Sequence, residues 1–357
     1  MKKTLVAIAA LSAISAFAQS SVTLGGTVDV RLAHGTGDTA NVTALRSSGI
    51  NSSHFRFVGV EDLGGGLKAG FHLEAGYNVD DGTGFPSTTN NQTITAFSPA
   101  TGANAAVRSG TQGFTFNRRS TLSVMGGFGE VRLGRDYTPH FWNQTYYDPF
   151  GTNGVGSTMT LTGSIASPGG NTAVRASNAI SYFTPNLGGF SGQIQTYLGE
   201  NSSNVANSGS GSSLRVGYVQ GPINVGLAYA RTTTSGSVDS THTNVGGSYD
   251  LGIVKVMGLY TKDANTGAND VNGWLFGVTA PLGSGTAKAA YSQSDNGING
   301  VAKQFALGYV YDLSKRSAVY ATVATINNSN TALALNGATT KVGGNSTGFD
   351  LGVRHSF

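Results

Sequence analysis

The end of the chain constrains its fold more than any other segment, because it alternates without interruption between two kinds of side chain. Glycine, serine or a charged residue separates each of Phe349, Leu351, Val353, His355 and Phe357 from the next. Side chains of a β-strand point alternately to its two faces, so this period of two predicts a strand with one apolar face. The same pattern recurs along the chain, for example over Val22–Leu32 and Leu67–Tyr77.

The composition indicates where such strands can put their apolar faces. Charged residues make up only 11% of the chain and the mean hydropathy is near zero, yet no segment reaches the roughly 20 apolar residues that a membrane-spanning helix needs. Glycine is abundant, with 53 residues, and 14 tyrosines and 17 phenylalanines outnumber two tryptophans. Because lipid offers no partner to backbone groups, a sheet in a membrane must close on itself. We therefore predict an all-β transmembrane barrel, with apolar residues facing lipid and small or polar residues facing the lumen.

The N-terminus predicts export from the cytoplasm. Lys2 and Lys3 precede an apolar run over Leu5–Ile14, and the small-residue triplet 16–18 follows it. This order is typical of a secretory signal peptide, so we expect residues 1–18 to be cleaved and residues 19–357 to form a single barrel domain. Without the two lysines, 20 basic residues remain against 18 acidic ones, a net charge of +2 that does not indicate nucleic-acid binding. Cysteine is absent, which excludes disulfides and thiolate metal sites.

The number of short turns gives the number of strands. Each turn carries Gly, Pro, Asn or Asp, which permit tight reversals, and lies between two alternating segments. The seven turns are residues 61–66, 126–129, 185–189, 220–222, 250–252, 281–285 and 312–315. Seven hairpins and the two terminal strands predict a 16-stranded antiparallel barrel, an even number as in bacterial single-chain barrels, with a lumen wide enough for water. No helix is predicted outside the signal peptide.

Two connections between hairpins are much longer than the turns. They span residues 78–113 and 137–174, and structureless loops of this length are uncommon unless they are functional. If the short turns face the periplasm, both loops lie on the external side. The second loop follows the fifth strand.

Four segments and the last residue resemble the general diffusion porins of Gram-negative outer membranes, most closely the beta-proteobacterial type. The segments are Glu61–Phe71, Arg118–Ser123, Gly129–Asp136 and Arg175–Tyr182, and the last residue is Phe357. The resemblance implies a homotrimer of 16-stranded barrels in the outer membrane, in contact with its lipid and lipopolysaccharide. It also implies that a long third external loop folds into each lumen, and that the outer-membrane assembly machinery reads Phe357.

In porins of this type, arginines on the barrel wall face acidic groups on the inserted loop at the narrowest point. Arg119, Arg135 and Arg175 occupy motif positions of such wall arginines. At a further basic position of the family this chain has His54 instead of arginine, and Arg56 follows two residues later. The phenylalanines that alternate with these two residues mark the lipid face, so both side chains are expected to point into the lumen.

The inserted loop carries little opposing charge. Asp148 is the only acidic residue between Tyr137 and Val174, and it lies where the family has an acidic stretch. Several arginines facing one carboxylate would leave a positive constriction, which favours anions. We therefore expect a moderate anion preference. The alternative for each single arginine is a solvated wall residue or one that stabilises a turn.

His54 adds an expectation about pH. An unperturbed imidazole has a pKa near 6.5, so anion selectivity is expected to rise as the medium is acidified. The alternative is that His54 is only a polar spacer, in which case selectivity would not follow its titration.

Other residues of the second long loop leave two interpretations open. Its aromatic residues either pack the loop against the wall or form a stacking surface for a solute, and they are Phe141, Trp142, Tyr146, Tyr147 and Phe150. No histidine pair has metal-ligand spacing and no serine motif accompanies His140, so we expect no metal, no cofactor and no enzyme. The expected function is passive diffusion of ions and small hydrophilic solutes. The alternative is a substrate-selective channel with a saturable site for a small carboxylate or sugar.

Overall fold

The structure is a computed structural model of the chain. It describes residues 21–87, 91, 96–98, 103–105, 115–159, 161, 172–200, 208–235, 238–266, 269–298 and 300–357. The signal peptide predicted for residues 1–18 lies outside the described residues. Within these ranges, no helix is both long enough and apolar enough to cross a membrane.

Nearly all regular structure is β-strand. Numbered along the chain, the strands are β1 (Ser21–Gly37), β2 (Val42–Ser47), β3 (His54–Gly64), β4 (Leu67–Gly76), β5 (Ala96–Ser98), β6 (Ala103–Ala105), β7 (Arg119–Gly126), β8 (Gly129–Tyr137), β9 (Arg175–Phe183), β10 (Phe190–Tyr197), β11 (Gly211–Gln220), β12 (Ile223–Ser235), β13 (Val238–Asp250), β14 (Lys255–Asn265), β15 (Val271–Leu282), β16 (Gly285–Asp295), β17 (Val301–Asp312), β18 (Ser317–Ser329) and β19 (Asn345–Ser356). β5 and β6 form a separate two-stranded sheet, and the other seventeen belong to one sheet in which neighbours run antiparallel.

The large sheet closes on itself. β1 pairs with β19, from Thr27 opposite Ser356 to Gly37 opposite Ser346. The other edge of β1 pairs with β3 near its start and with β2 towards its end, so β2 and β3 are two parts of one strand that is interrupted at residues 48–53. Counted in this way the barrel has sixteen strands, and each predicted turn joins two neighbouring strands. The predicted fold is therefore confirmed.

The two-residue period separates the outside of the barrel from the inside. In β12, Val225, Leu227 and Tyr229 are exposed on the outer face, whereas Ala228 and Ala230 are buried on the inner face. An outer face that exposes apolar side chains suits a lipid bilayer.

Part of the inner face departs from the expected lining. Leu259, Leu275 and Ile326 point inward from β14, β15 and β18, and each is at most 4% exposed. They belong to one buried apolar cluster that includes residues of the connection after β8. The prediction of a small or polar lumenal face is wrong here, because the connection covers these side chains and removes them from water.

The connection after β8 also contains a helix that the sequence did not predict. Helix α1 spans Pro139–Tyr146, and Thr138 before it has an extended backbone. Proline suits the start of a helix because its fixed φ is helical and its missing N–H would have no partner there. The prediction that no helix exists outside the signal peptide is wrong, since a helix this short contains too few turns for a hydrophobic period to emerge.

Candidate functional site

The described part of the connection after β8 runs inside the barrel. In α1, Nδ2 of Asn143 donates hydrogen bonds to the carbonyl oxygen of Gly226 at 3.2 Å and to Oδ1 of Asn244 at 2.7 Å. The Tyr147 hydroxyl, directly after α1, donates to Oδ1 of Asn224 at 2.9 Å. These partners lie on the inner face of β12 and β13, because the residues that alternate with them are exposed on the outer face. The loop therefore narrows the lumen.

Glycines make room for the connection where it touches the wall. A Cβ atom added to Gly246 would lie 2.1 Å from the Tyr147 ring, and one added to Gly277 would lie 2.4 Å from Pro149. Side chains do not approach so closely, so these strand positions require glycine. We call the set of such positions the glycine track, which consists of Gly226, Gly246, Gly277, Gly308 and Gly348. The track extends from β12 to β19, and the connection follows it around one side of the barrel.

The face of the connection that meets this wall is apolar. Tyr147, Phe150 and Val155 are at most 5% exposed, and they belong to the buried cluster with Leu259 and Ile326. Full burial of one such side chain stabilises a fold by about 1.5–3 kcal/mol. Of the two interpretations of the loop aromatics, packing is therefore correct for Tyr147 and Phe150.

The far end of the connection meets the strand interruption at residues 48–53, which we call the clasp. Oγ of Ser52 donates a hydrogen bond to Oδ1 of Asn153 at 3.0 Å. Close to this contact, the backbone N–H of Val155 donates to Oδ2 of Asp350, in β19, at 2.9 Å. The connection is thus attached at two places, through α1 to β10–β13 and through its far end to the clasp and β19.

One buried carboxylate shapes the clasp. Asp29 of β1 accepts hydrogen bonds from the backbone N–H groups of Gly49, Ile50 and Asn51 at 2.7–2.9 Å. The Tyr320 hydroxyl donates to the same carboxylate at 2.5 Å. A charged group is tolerated in a buried position only when it is paired or hydrogen-bonded, and these four donors meet that condition. Asp29 therefore determines the path of the chain where the wall bends toward the loop.

A cavity of about 630 Å³ remains between the connection and the opposite wall, and we call it the upper cavity. The wall contributes Arg118, Arg135, Arg175 and His54 to its lining, and α1 contributes Trp142. No aspartate or glutamate of the described residues lines it. The upper cavity therefore has a positively charged wall opposite an uncharged loop.

Tyr137, the last residue of β8, spaces the arginines of this wall. The guanidinium groups of Arg118, Arg119 and Arg175 lie over its ring, at 4.3–5.9 Å from the ring centroid. Its hydroxyl accepts hydrogen bonds from Nη2 of Arg118 at 2.6 Å and from Nη2 of Arg175 at 2.9 Å. Cation–π attraction and these hydrogen bonds offset the repulsion between like charges that lie close together.

The carboxylates that face the arginines belong to the wall. Oε1 of Glu74 lies 2.5 Å from Nε of Arg118. Asp136 pairs with Nε of Arg119 and with Nη1 of Arg132, both at 2.6 Å. The sequence analysis did not identify these two acids as partners. Alternation places Glu74 on the lumenal face of β4, whereas Asp136 follows a register shift in β8 and lies between two residues that line the upper cavity, Arg135 and Tyr137.

A second cavity, of about 290 Å³, lies on the other side of α1, and we call it the lower cavity. Its lining includes Arg119, Arg132 and Arg215, and no aspartate or glutamate in the part of the chain that the structure describes. Trp142 lines both cavities, so α1 separates them. The lower cavity lies toward the short turns, because residues 183–184 at the end of β9 also line it.

The structure brings the predicted wall residues together only in part. Arg135, Arg175 and His54 line the upper cavity, and Arg119 lines the lower one. Arg56 is exposed in β3 and lines neither cavity. The predicted positive wall thus extends over both sides of α1, with Arg56 outside it.

Three further lumenal arginines were missed by the sequence analysis. Arg118 is adjacent to Arg119, and strict alternation does not predict that two consecutive side chains reach the same lumen. Arg132 and Arg215 alternate with exposed apolar residues in β8 and β11. Their strand positions were therefore sufficient to identify them as lumenal.

The structure does not place Asp148 opposite the arginines. Its Oδ1 and Oδ2 accept hydrogen bonds from the backbone N–H groups of Phe150 and Thr158, both at 2.8 Å, and the residue is 7% exposed. Burial raises the pKa of Asp148 to about 6. The expectation that this carboxylate faces the wall arginines is not met, because an aspartate at the start of a turn bonds the backbone that follows it.

Phe357 lies at the seam of the barrel. Its N–H donates to the Gly26 carbonyl at 3.1 Å, and the Gly26 N–H donates to the Phe357 carbonyl at 3.0 Å. The side chain is 45% exposed on the outer face. Its role as an assembly signal stays a prediction. For metals, the described ranges contain no group of three His, Asp or Glu side chains that could hold an ion.

Comparisons with known proteins agree with this geometry. A family model described as Gram-negative porin matches residues 4–331. Outer membrane porin protein 32 of Delftia acidovorans is 38% identical over 100% of both chains. The solved structure of an anion-selective porin from Comamonas acidovorans is 34% identical, covers 95% of this chain and 100% of its own, and has a TM-score of 0.79. OmpT of Vibrio cholerae in a trimer form shares only the fold, at 15% identity, with a TM-score of 0.63 over 95% of this chain and 99% of its own.

Proposed function

The chain belongs to the Gram-negative porin family of outer-membrane proteins, and on this premise we propose that it is a water-filled channel with a moderate preference for anions. Ions and small hydrophilic solutes would cross it by passive diffusion, and no reaction would be catalysed. The observation that carries the proposal is the lining of the upper cavity, where three arginines and a histidine face the loop without a lining carboxylate. The relative from Comamonas acidovorans, described as anion-selective, supports the same direction.

The charges near α1 explain why the preference would be moderate. Arg118, Arg119, Arg132, Arg135, Arg175 and Arg215 line the two cavities. Three wall carboxylates, Glu74, Glu130 and Asp136, pair with some of them. Six positive charges against three negative ones leave +3 within the narrow part of the lumen. Low-dielectric walls focus this field, while screening over about 8 Å at physiological salt limits its reach to the narrow region.

The direct test is the zero-current potential of the purified protein in a planar bilayer under a KCl gradient. We expect a zero-current potential with the sign set by preferential permeation of chloride. Replacing chloride by acetate should lower the conductance more than replacing potassium by lithium does. A cation-selective potential would contradict the proposal. It would mean that the wall carboxylates outweigh the arginines.

We also propose a homotrimer in contact with outer-membrane lipid and lipopolysaccharide. The outer face exposes apolar side chains around the barrel, and the related OmpT is described in a trimer form. A heat-sensitive band at three times the monomer mass on a native gel, with conductance closing in three equal steps, is the expected result. A single monomer band without heating would contradict it.

The two ends of the chain complete the proposal. Residues 1–18 would be removed as a signal peptide, which the mass of the mature protein tests. Phe357 would be read by the outer-membrane assembly machinery. Deleting Phe357 should lower the yield of assembled barrel in the membrane while leaving refolding of the purified chain in detergent intact.

A further inference from the structure

Two aromatic side chains of α1, Trp142 and Tyr146, line the lower cavity. Trp142 and Tyr146 lie one turn apart on the same face of α1, with ring centroids 5.9 Å apart and planes inclined by 21°. Tyr146 is 50% exposed and lines the cavity, whereas Phe141 and Tyr147 are nearly buried. The half-exposed Tyr146 ring therefore has aromatic surface left for contact with a solute.

Arg215 presents an oriented positive charge beside this ring. Its Nε donates a hydrogen bond to Oδ1 of Asn143 at 2.9 Å, and its guanidinium carbon lies 4.9 Å from the centroid of Tyr146. No ion pair of Arg215 occurs within the described residues, in contrast to Arg119 and Arg132, which pair with wall carboxylates. The fork also donates to the Tyr147 hydroxyl, and its N–H groups beyond these two bonds are left for an anion, for which its planar geometry is suited.

A second donor in the same lining lacks a partner. Nε2 of Gln193 is buried and has no hydrogen-bond partner among the described residues, and Gln193 lines the lower cavity. A buried donor without a partner is costly, so an acceptor on a bound solute would be favoured there. Gln193 lies in β10, next to β11, which carries Arg215, and its register partner is Arg215 itself.

We propose that the lower cavity is a transient binding site for small aromatic carboxylates, an inference that rests on the proposed channel function. The ring would stack against Tyr146, and the carboxylate would accept hydrogen bonds from Arg215 and Gln193. The volume of about 290 Å³ suits a single ring. Neutral sugars lack the negative charge that would bind Arg215, and aliphatic acids lack an aromatic ring that would stack on Tyr146.

The test compares two acids of similar size that differ in their π face. Benzoate and cyclohexanecarboxylate are added to single channels that carry chloride current, and the concentration of half-maximal block is measured for each. We expect saturable block by both acids, with benzoate effective at a roughly 2- to 10-fold lower concentration, the contribution of one aromatic pair. Acetate, which lacks a ring, should permeate without measurable block.

Two variants separate the ring from the charge. Tyr146→Leu should bring the two acids to the same half-blocking concentration. Arg215→Gln should weaken both acids by a similar factor and so preserve their ratio, which a mere distortion of the cavity would not do. The matched controls are Tyr229→Leu, on the outer face of β12, and Arg231→Gln, in an exposed ion pair with Asp239. Both control channels should be blocked by the two acids at the same half-blocking concentrations as the unaltered channel.

Equal block by benzoate and cyclohexanecarboxylate in the unaltered channel would overturn the binding site, as would a benzoate preference that survives Tyr146→Leu. The zero-current potential in KCl reports on the proposed function separately. An anion-selective channel without a benzoate preference would retain the proposed function and lose only this site.

Discussion

The two sides of the barrel wall have opposite lumenal surfaces, one apolar and covered by the inserted loop and the other charged and open to the cavities. The loop-side wall, β12 to β19, carries the glycine track and buries Leu259, Leu275 and Ile326 under the inserted loop. The arginine-side wall, β3, β4 and β7 to β11, carries the arginines and their carboxylate partners around the open cavities. The pore is therefore displaced from the barrel axis toward the charged wall.

The difference follows from where water remains. Apolar side chains gain stability when a covering element removes them from water, whereas an ion loses its hydration and must be compensated. An inserted loop placed over the arginine-side wall would bury several like charges at a high cost. Placed over glycine and leucine, it has room and an apolar surface to cover. The side on which the loop rests thus decides which side chains line the pore.

The largest change is expected from removing charge on the arginine-side wall. In the double variant Arg135→Gln with Arg175→Gln, the permeability ratio of chloride to potassium should fall by roughly fivefold for each charge, since unit charges about 4 Å apart in water interact by about 1 kcal/mol. Arg231→Gln, outside the pore, is the control and should change nothing. An unchanged ratio in the double variant would mean that these two arginines do not face permeating ions. The zero-current potential measures the ratio.

Filling the glycine track should displace the loop from its wall. In Gly246→Ala the new Cβ would lie 2.1 Å from the Tyr147 ring. We therefore expect the free energy of unfolding to fall by about 1–3 kcal/mol and the single-channel conductance to change. In the control Gly258→Ala, in the neighbouring strand, the nearest atom is 4.0 Å away. Thermal unfolding in detergent and single-channel recording give the two readouts. Equal behaviour of both variants would show that the loop does not rest on the track.

Loosening the clasp should affect the noise of the open-channel current more than the ion selectivity. Asp29→Asn replaces one acceptor oxygen by a donor and so leaves either the Gly49 N–H or the Ile50 and Asn51 N–H groups without an acceptor, which should lower the free energy of unfolding by about 1–3 kcal/mol. We expect larger open-channel current noise at a nearly unchanged reversal potential. Asp250→Asn is the control, since Asp250 is exposed and its side chain accepts, from the described residues, only the hydrogen bond of the Gly252 N–H in a short turn. Noise as low as in this control would contradict a role of Asp29 in holding the loop.

The smallest effect concerns pH and the loop-side wall. Burial raises the pKa of Asp148 to about 6, so its carboxyl is neutral below this pH and carries a negative charge above it. Anion preference should therefore fall slightly as the pH rises through about 6, and Asp148→Asn should remove this change. His54→Gln is the companion variant, because neutralisation of His54 acts in the same direction. If the pH profile is lost in His54→Gln and kept in Asp148→Asn, the histidine alone is responsible.

The alternation of the chain was sufficient to predict the barrel. The period of two and the turn residues act over a few neighbouring positions, so the sequence gives the strand count and the face of each residue. The resemblance to porins identified Arg119, Arg135 and Arg175 as wall residues, and alternation with exposed apolar neighbours would have added Arg132 and Arg215. The sequence did not identify α1, because an eight-residue helix has no sustained period.

The site required contacts between residues far apart along the chain. The Asp29–Tyr320 hydrogen bond joins β1 to β18, and the Asn143–Gly226 hydrogen bond joins α1 to β12. The direction of the Asp148 carboxylate was predicted wrongly because the nearby backbone of its own turn competes with distant arginines. Whether a lumenal face is wet or covered depends on which segment crosses it.

The sequence by itself therefore determined a closed sheet of sixteen strands, its inner and outer faces, and a lumen rich in arginine. Only the tertiary structure decided that the loop lies over the glycine track, that Glu74 and Asp136 pair with the arginines, and that Tyr146 stays open to water. The physical reason is the distance along the chain over which each interaction acts. Alternation and turn formation are local, whereas burial and charge pairing depend on distances that exist only once the barrel has closed.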